Sequence, residues 1–146
     1  MKKIIIIFLL MPLVYKASAQ NAINATDTIL VGNIEKNCPG GFEAFNKYIE
    51  KYAHPPAIAF ENHKSGTTYV SFIIEPDGSV SNVCTILAVG SPLDEEAVRV
   101  IRGSNSWIPA TIDNKPVRCF CIAAVQFFGD FGKHTMWVKA KRIESL

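Results

Sequence analysis

The segment "TTYVSFIIEPDGSVSNVCTILAVG" does most to narrow what this chain can fold into. Val70, Phe72 and Ile74 recur at the period of two that places side chains on one face of a strand. Pro76-Asp77-Gly78 supplies turn chemistry, with Gly78 where a positive φ is tolerated, and residues 80–89 return as a second strand. The segment is an antiparallel hairpin.

A helix is written on either side of it. In "CPGGFEAFNKYIEKYAHPP", Pro39-Gly40-Gly41 turns the chain, and Phe42, Phe45, Ile49 and Tyr52 then recur at helical spacing. Pro55 and Pro56 stop that helix. In "SPLDEEAVRVIRG", Ser91 is placed as the N-cap, Pro92 as the first helical residue, and Asp94 or Glu95 in the first turn. Leu93, Ala97, Val100 and Ile101 form its apolar stripe, and Gly103 is placed as a left-handed stop. Capping accounts for Asp94, Glu95 and Glu96 more simply than acid–base chemistry does.

"SWIPATIDNKPV" is a loop with Trp107 as a core anchor, and Asp113-Asn114-Lys115-Pro116 turns it into a last strand over residues 117–128. The tail "GDFGKHTMWVKAKRIESL" either forms another short strand around Trp137 and Val138 or packs over the core. Residues 20–37 are polar, with a weak Ile29-Leu30-Val31 run, and read as a flexible lead-in or one short strand.

The first twenty residues, "MKKIIIIFLLMPLVYKASAQ", have the form of a secretory signal. Lys2 and Lys3 precede an apolar run from Ile4 to Val14, and Ala17-Ser18-Ala19 is an A-x-A cleavage site. Pro12 and Lys16 interrupt the run well short of the ~20 apolar residues of a spanning helix. The reading is export to the periplasm with cleavage after Ala19. Losing Lys2, Lys3 and Lys16 from 15 basic residues leaves 12 against 13 acidic ones, a net charge of −1. No basic stripe then points to nucleic acid or a membrane surface.

Cys38, Cys84, Cys119 and Cys121 all lie beyond the signal. An even count in an exported chain permits disulfides. Val117, Cys119, Cys121 and Ala123 share one face of the last strand, and cysteine there behaves as a small apolar side chain. A 119–121 bridge is disfavoured, because residues two apart on a strand have Cα atoms about 6.5 Å apart and parallel side chains. At most one disulfide is expected, and it would involve Cys38. No G-x-S-x-G, H-E-x-x-H or phosphate-binding glycine loop occurs, so no catalytic residue, cofactor or metal is assigned.

In order, "PGGFEAFNKYI", "HPP", "GTTYVSFIIEPDGSVSNVCTIL", "SPLDEEAVRVIRG", "SWIPA" and "KPVRCFCIAAVQFF" resemble the TonB C-terminal domain family, in versions common in Bacteroidota. The resemblance divides the chain into a signal (1–19), a lead-in (20–37), the domain (38–128) and a C-terminal extension (129–146). It implies an α+β fold: a three-stranded antiparallel sheet with two helices on one face, the hairpin's first strand central and the last strand at an edge. It also implies a function, capture of an extended receptor segment, the TonB box, by strand addition to that last strand. The residues so implicated are Val117, Arg118, Phe120, Ile122 and Ala124, with Pro55 and Pro56 on the approach path. A TonB-dependent receptor segment, a TonB-like partner or a second copy through the edge strand would be the guest.

The chain departs from members that transduce energy. It has a cleavable signal where they keep a membrane helix, and no proline-rich spacer between Gln20 and Cys38. Ala124 stands where many relatives have proline, which restores an N–H and lets the edge pair further along. The rival reading is a periplasmic thiol or metal protein using Cys119, Cys121 and Cys38. Zinc sites usually space paired cysteines by two to four residues, so C-x-C within a strand fits it poorly. A third reading keeps the fold as a structural piece without peptide binding.

Overall fold

The computed structural model describes residues 29–143. Residues 1–28, which hold the expected signal and most of the expected lead-in, and the last three residues lie outside the described residues. In chain order the elements are β1 (Ile29–Val31), α1 (Ile34–Asn37), α2 (Gly41–Tyr52), α3 (Ala57–Glu61), β2 (Gly66–Ile74), β3 (Val80–Leu87), α4 (Leu93–Arg102), β4 (Ala110–Ile112), β5 (Lys115–Asp130) and β6 (Thr135–Lys141).

The hairpin forms as its sequence requires. Gly78 sits at φ 82°, and its amide donates to the Glu75 carbonyl at 2.9 Å. β2 pairs antiparallel with β3 on one side and with β5 on the other, so it is central. Val70, Phe72 and Ile74 are fully buried on the face that α2 and α4 cover. Trp107 inserts beneath them, 5.0 Å from the Phe72 ring centroid and 5.8 Å from that of Phe45.

Both helices form, with local differences. In α2 the inward face is Phe42, Phe45, Tyr48 and Ile49, while Tyr52 is 45% exposed. Tyr48 turns inward because its hydroxyl donates to the Val100 carbonyl at 2.9 Å, tying α2 to α4. α4 is capped by Pro92 without a side-chain bond, and Ser91 instead donates to Glu95. The entry turn is held by Asp94, whose carboxylate accepts from the amides of Val89 and Gly90 at 2.9 and 2.8 Å. Gly103 ends the helix at φ −79°, not in the left-handed region. The prolines after α2 stop it, and Pro56 then caps the short α3.

The sheet departs from the expected three antiparallel strands: it is mixed and, among the described residues, has six. Its main order is β1-β5-β2-β3, with β4 and β6 also pairing with β5. The last strand of the expected fold is therefore not an open edge. β2 lines one side of β5, over residues 119–127. On the other side β1 runs parallel to it over Arg118, Cys119 and Phe120, and β6 runs antiparallel from Ala124 to Asp130. The tail beyond Phe128 is the source of β6. Met136 and Ala140 are half-buried against the core and Val138 is 5% exposed, while Trp137, Lys139 and Lys141 point to the opposite face.

Candidate functional site

The rim of β5 carries the candidate site. Residues 115–130 form one long strand because buried and half-exposed positions alternate along it almost without a break. Val117, Cys119, Cys121, Ala123, Val125 and Phe127 are all 1% exposed or less, and they face the helices. Arg118, Phe120, Ile122 and Gln126 are half-buried on the other face. The Gly32 amide donates to the Phe120 carbonyl at 2.9 Å, so the backbone groups of even-numbered residues of β5 point to the rim occupied by β1 and β6. The register of β1 ends at Phe120 and that of β6 begins at Ala124, leaving Ile122 between them. Among the described residues, one short stretch of rim is open.

The residues expected to form the site are only partly brought together. Arg118, Phe120 and Ile122 share the outer face beside this opening. Val117 is fully buried and serves the core. Ala124 is 1% exposed, and it is paired on both sides, with Tyr69 and Lys141. The extra pairing that alanine permits there is therefore taken by β6 and not left for a guest. Pro55 and Pro56 lie elsewhere: Pro55 borders a shallow hollow with Met136, Trp137 and Val138 of β6. Trp137 is paired with Phe128, six residues along β5 from Ile122 and thus about 20 Å away.

Charge at the rim is held in place. Arg118 donates through Nε and Nη2 to Glu75 at 3.0 and 2.9 Å, a bidentate pair across β5 and β2. Hydrogen bonds from Arg118 and from Ser81 hold the Glu75 carboxyl below its ordinary value. At the far side of the opening, Arg142 lies 4.2 Å from the Phe42 ring centroid and donates to Glu35 at 2.8 Å. The end of β6 is thereby fastened to α1 and α2. The Asn46 side chain adds to this by accepting from the Ala140 amide at 2.8 Å.

All four cysteines are unpaired thiols. Cys119 and Cys121 are buried, with sulfurs 4.0 Å apart, and burial pushes both thiols up from their ordinary values. The disulfide expected at Cys38 is not formed; Cys38 is half-buried beside Phe45 and Trp107. Among the described residues no group of three or more His, Cys, Asp or Glu is placed to hold a metal ion. Glu96, 8% exposed, is held by Arg99 and by the His54 amide.

Residues 52–127 match the family model described as Gram-negative bacterial TonB protein C-terminal, and the chain belongs to that family. No curated protein and no solved structure matches it. Domains of this family are non-catalytic, transport-related modules that interact with proteins such as receptors, in proteins associated with the cell envelope. Among the described residues no helix is long and apolar enough to cross a membrane.

Proposed function

We propose that this chain is a periplasmic module, exported with cleavage after Ala19, that captures an extended, TonB-box-like segment by strand addition at the rim of β5. The guest pairs with residues 118–122, where Phe120 and Ile122 supply backbone groups and, with Arg118, the side-chain surface that selects it. The observation that carries this reading is the unmatched position of Ile122 between the registers of β1 and β6. The other edge suits the role less. No described strand pairs with the outer side of β3, but its register slips twice and Asn82 stands at φ 49°, irregularities that discourage strand addition. A TonB-dependent receptor segment or a TonB-like protein is the proposed partner, and a second copy of the chain is the competing occupant.

Ile122→Pro tests the reading, since it removes one rim-directed N–H and leaves the β2 side of β5 untouched. A TonB-box peptide titrated into both proteins is expected to bind the wild type saturably and to lose binding to the folded variant. Equal binding by both would reject strand addition at this rim.

A further inference from the structure

The rim is not empty upstream of Ile122, and the strand that fills it is held on one side only. β1 contributes three residues, pairs in parallel with Arg118, Cys119 and Phe120, and reaches them from about ninety positions earlier in the chain. Ile29 and Val31 are 45% and 79% exposed, and Leu30 is half-buried. The turn into α1, just after β1, is anchored firmly. Ile34 is buried, the Asn37 side chain donates to the Ile108 carbonyl at 2.8 Å, and the Ile108 amide donates to the Asn37 carbonyl at 2.8 Å. Between the loose strand and the anchored turn stands Gly32. A Cβ there would lie 2.3 Å from the Cys119 sulfur, 2.4 Å from Asn37 Oδ1 and 2.9 Å from the Cys121 sulfur. Its φ lies outside the left-handed region, so glycine is required by space and not by backbone conformation. The chain passes so tightly here that it lids both thiols.

Resting on the strand-addition reading above, we propose that β1 is a resident occupant of the guest slot: together with Gly32 it peels off the rim as far as the anchored turn into α1 before a partner pairs with β5, and it uncovers Cys119 and Cys121 as it goes. The slot runs from Arg118 to Ile122, bounded by α1 and by the end of β6, and so takes a short segment. β1 itself reports the kind of segment that fits: extended, parallel to β5 and uncharged, in the manner of Ile29-Leu30-Val31. A module whose slot is filled from its own chain binds a guest with an apparent affinity lowered by the fraction of time the slot is vacant.

Leu30→Pro in the full chain is the direct test. The Gly32 amide points at β5, so the Leu30 amide, two residues earlier, points the same way, and proline there removes a rung of the ladder without altering β5. The probe is a synthetic peptide of residues 26–33 of this chain, titrated into wild type and variant, with alkylation of Cys119 and Cys121 read by mass spectrometry. The expected result is binding at least about tenfold tighter in the variant, with both thiols alkylated faster until the peptide protects them. Equal affinity in both proteins would overturn the resident-strand proposal while leaving the rim reading standing. Binding by neither would also overturn it. In that case a TonB-box peptide that still binds would spare the rim reading, and one that does not would end that as well. Gly32→Ala, whose methyl group must push the chain off Cys119, supplies a second release variant should Leu30→Pro not fold.

Discussion

The Trp107 amide donates to the Gly78 carbonyl at 3.0 Å, fastening the loop after α4 to the tip of the β2–β3 hairpin. A Cβ on Gly78 would lie 2.6 Å from the Trp107 carbonyl oxygen, and Gly78 already sits at φ 82°. Gly78→Ala therefore combines backbone strain with a clash against main chain. A loss of about 2–3 kcal/mol is expected in urea unfolding. A variant as stable as wild type would show that the turn and the loop are not coupled.

Trp107 is the other half of this contact. It is 5% exposed, packs on Phe45 and Phe72, and donates through Nε1 to Ser104 at 2.9 Å. Trp107→Ala should cost about 3–5 kcal/mol, and Trp107→Phe distinctly less, because most of the apolar volume is retained. Thermal unfolding of the two variants side by side checks the order.

Glu96 makes the pH dependence specific. Burial pushes its carboxyl up, but Arg99 and the His54 amide more than offset this, and it stays below the ordinary glutamate value. A carboxyl depressed in the folded state contributes stability above its unfolded value, about pH 4.3, and that contribution disappears as pH falls through the folded value. Wild type should therefore lose stability between pH 5 and pH 3, and Glu96→Gln should lose less over the same window while being less stable at pH 7. The cost at pH 7 is about 1–3 kcal/mol, the range for disturbing the partners of a buried hydrogen-bonding group. Urea midpoints at the three pH values measure both effects.

The tail should prove to be part of the fold. Val138 is 5% exposed within the core cluster, so Val138→Ala is expected to cost about 2 kcal/mol, as for a small buried truncation. A loss below about 0.5 kcal/mol, the size of an ordinary surface change, would place β6 outside the cooperative unit.

Thiol chemistry separates the two cysteine environments. Cys84 is exposed, whereas Cys119 and Cys121 are buried and their thiols are pushed up by that burial. In the folded wild type, alkylation should reach Cys84 at least about 100-fold sooner than either of the buried pair, since thiolate and access are both needed.

Local pattern revealed the hairpin, both long helices, Trp107 as anchor and the inward face of β5, because spacing within a dozen residues is enough to set each of them. It did not reveal who sits beside β5. Ile29-Leu30-Val31 is too short to display a period, and its partner lies some ninety residues away. β6 was legible in part: Met136, Val138 and Ala140 alternate with Thr135, Trp137 and Lys139, a strand pattern masked by the exposed tryptophan. Tyr52 fitted the helical stripe as well as Tyr48 did. Only the hydrogen bond from Tyr48 to α4 decides between them. The family resemblance led to an open edge, whereas β1 and β6, two segments outside its motifs, largely close it.

Strand addition at the rim of β5 turns on the Ile122 amide. Hydrogen exchange at Ile122, measured with and without a saturating TonB-box peptide, tests it directly. Ile122 is expected to become protected in the complex while residues 83–87 of β3 do not change. Protection confined to β3, with Ile122 exchanging as before, would contradict it.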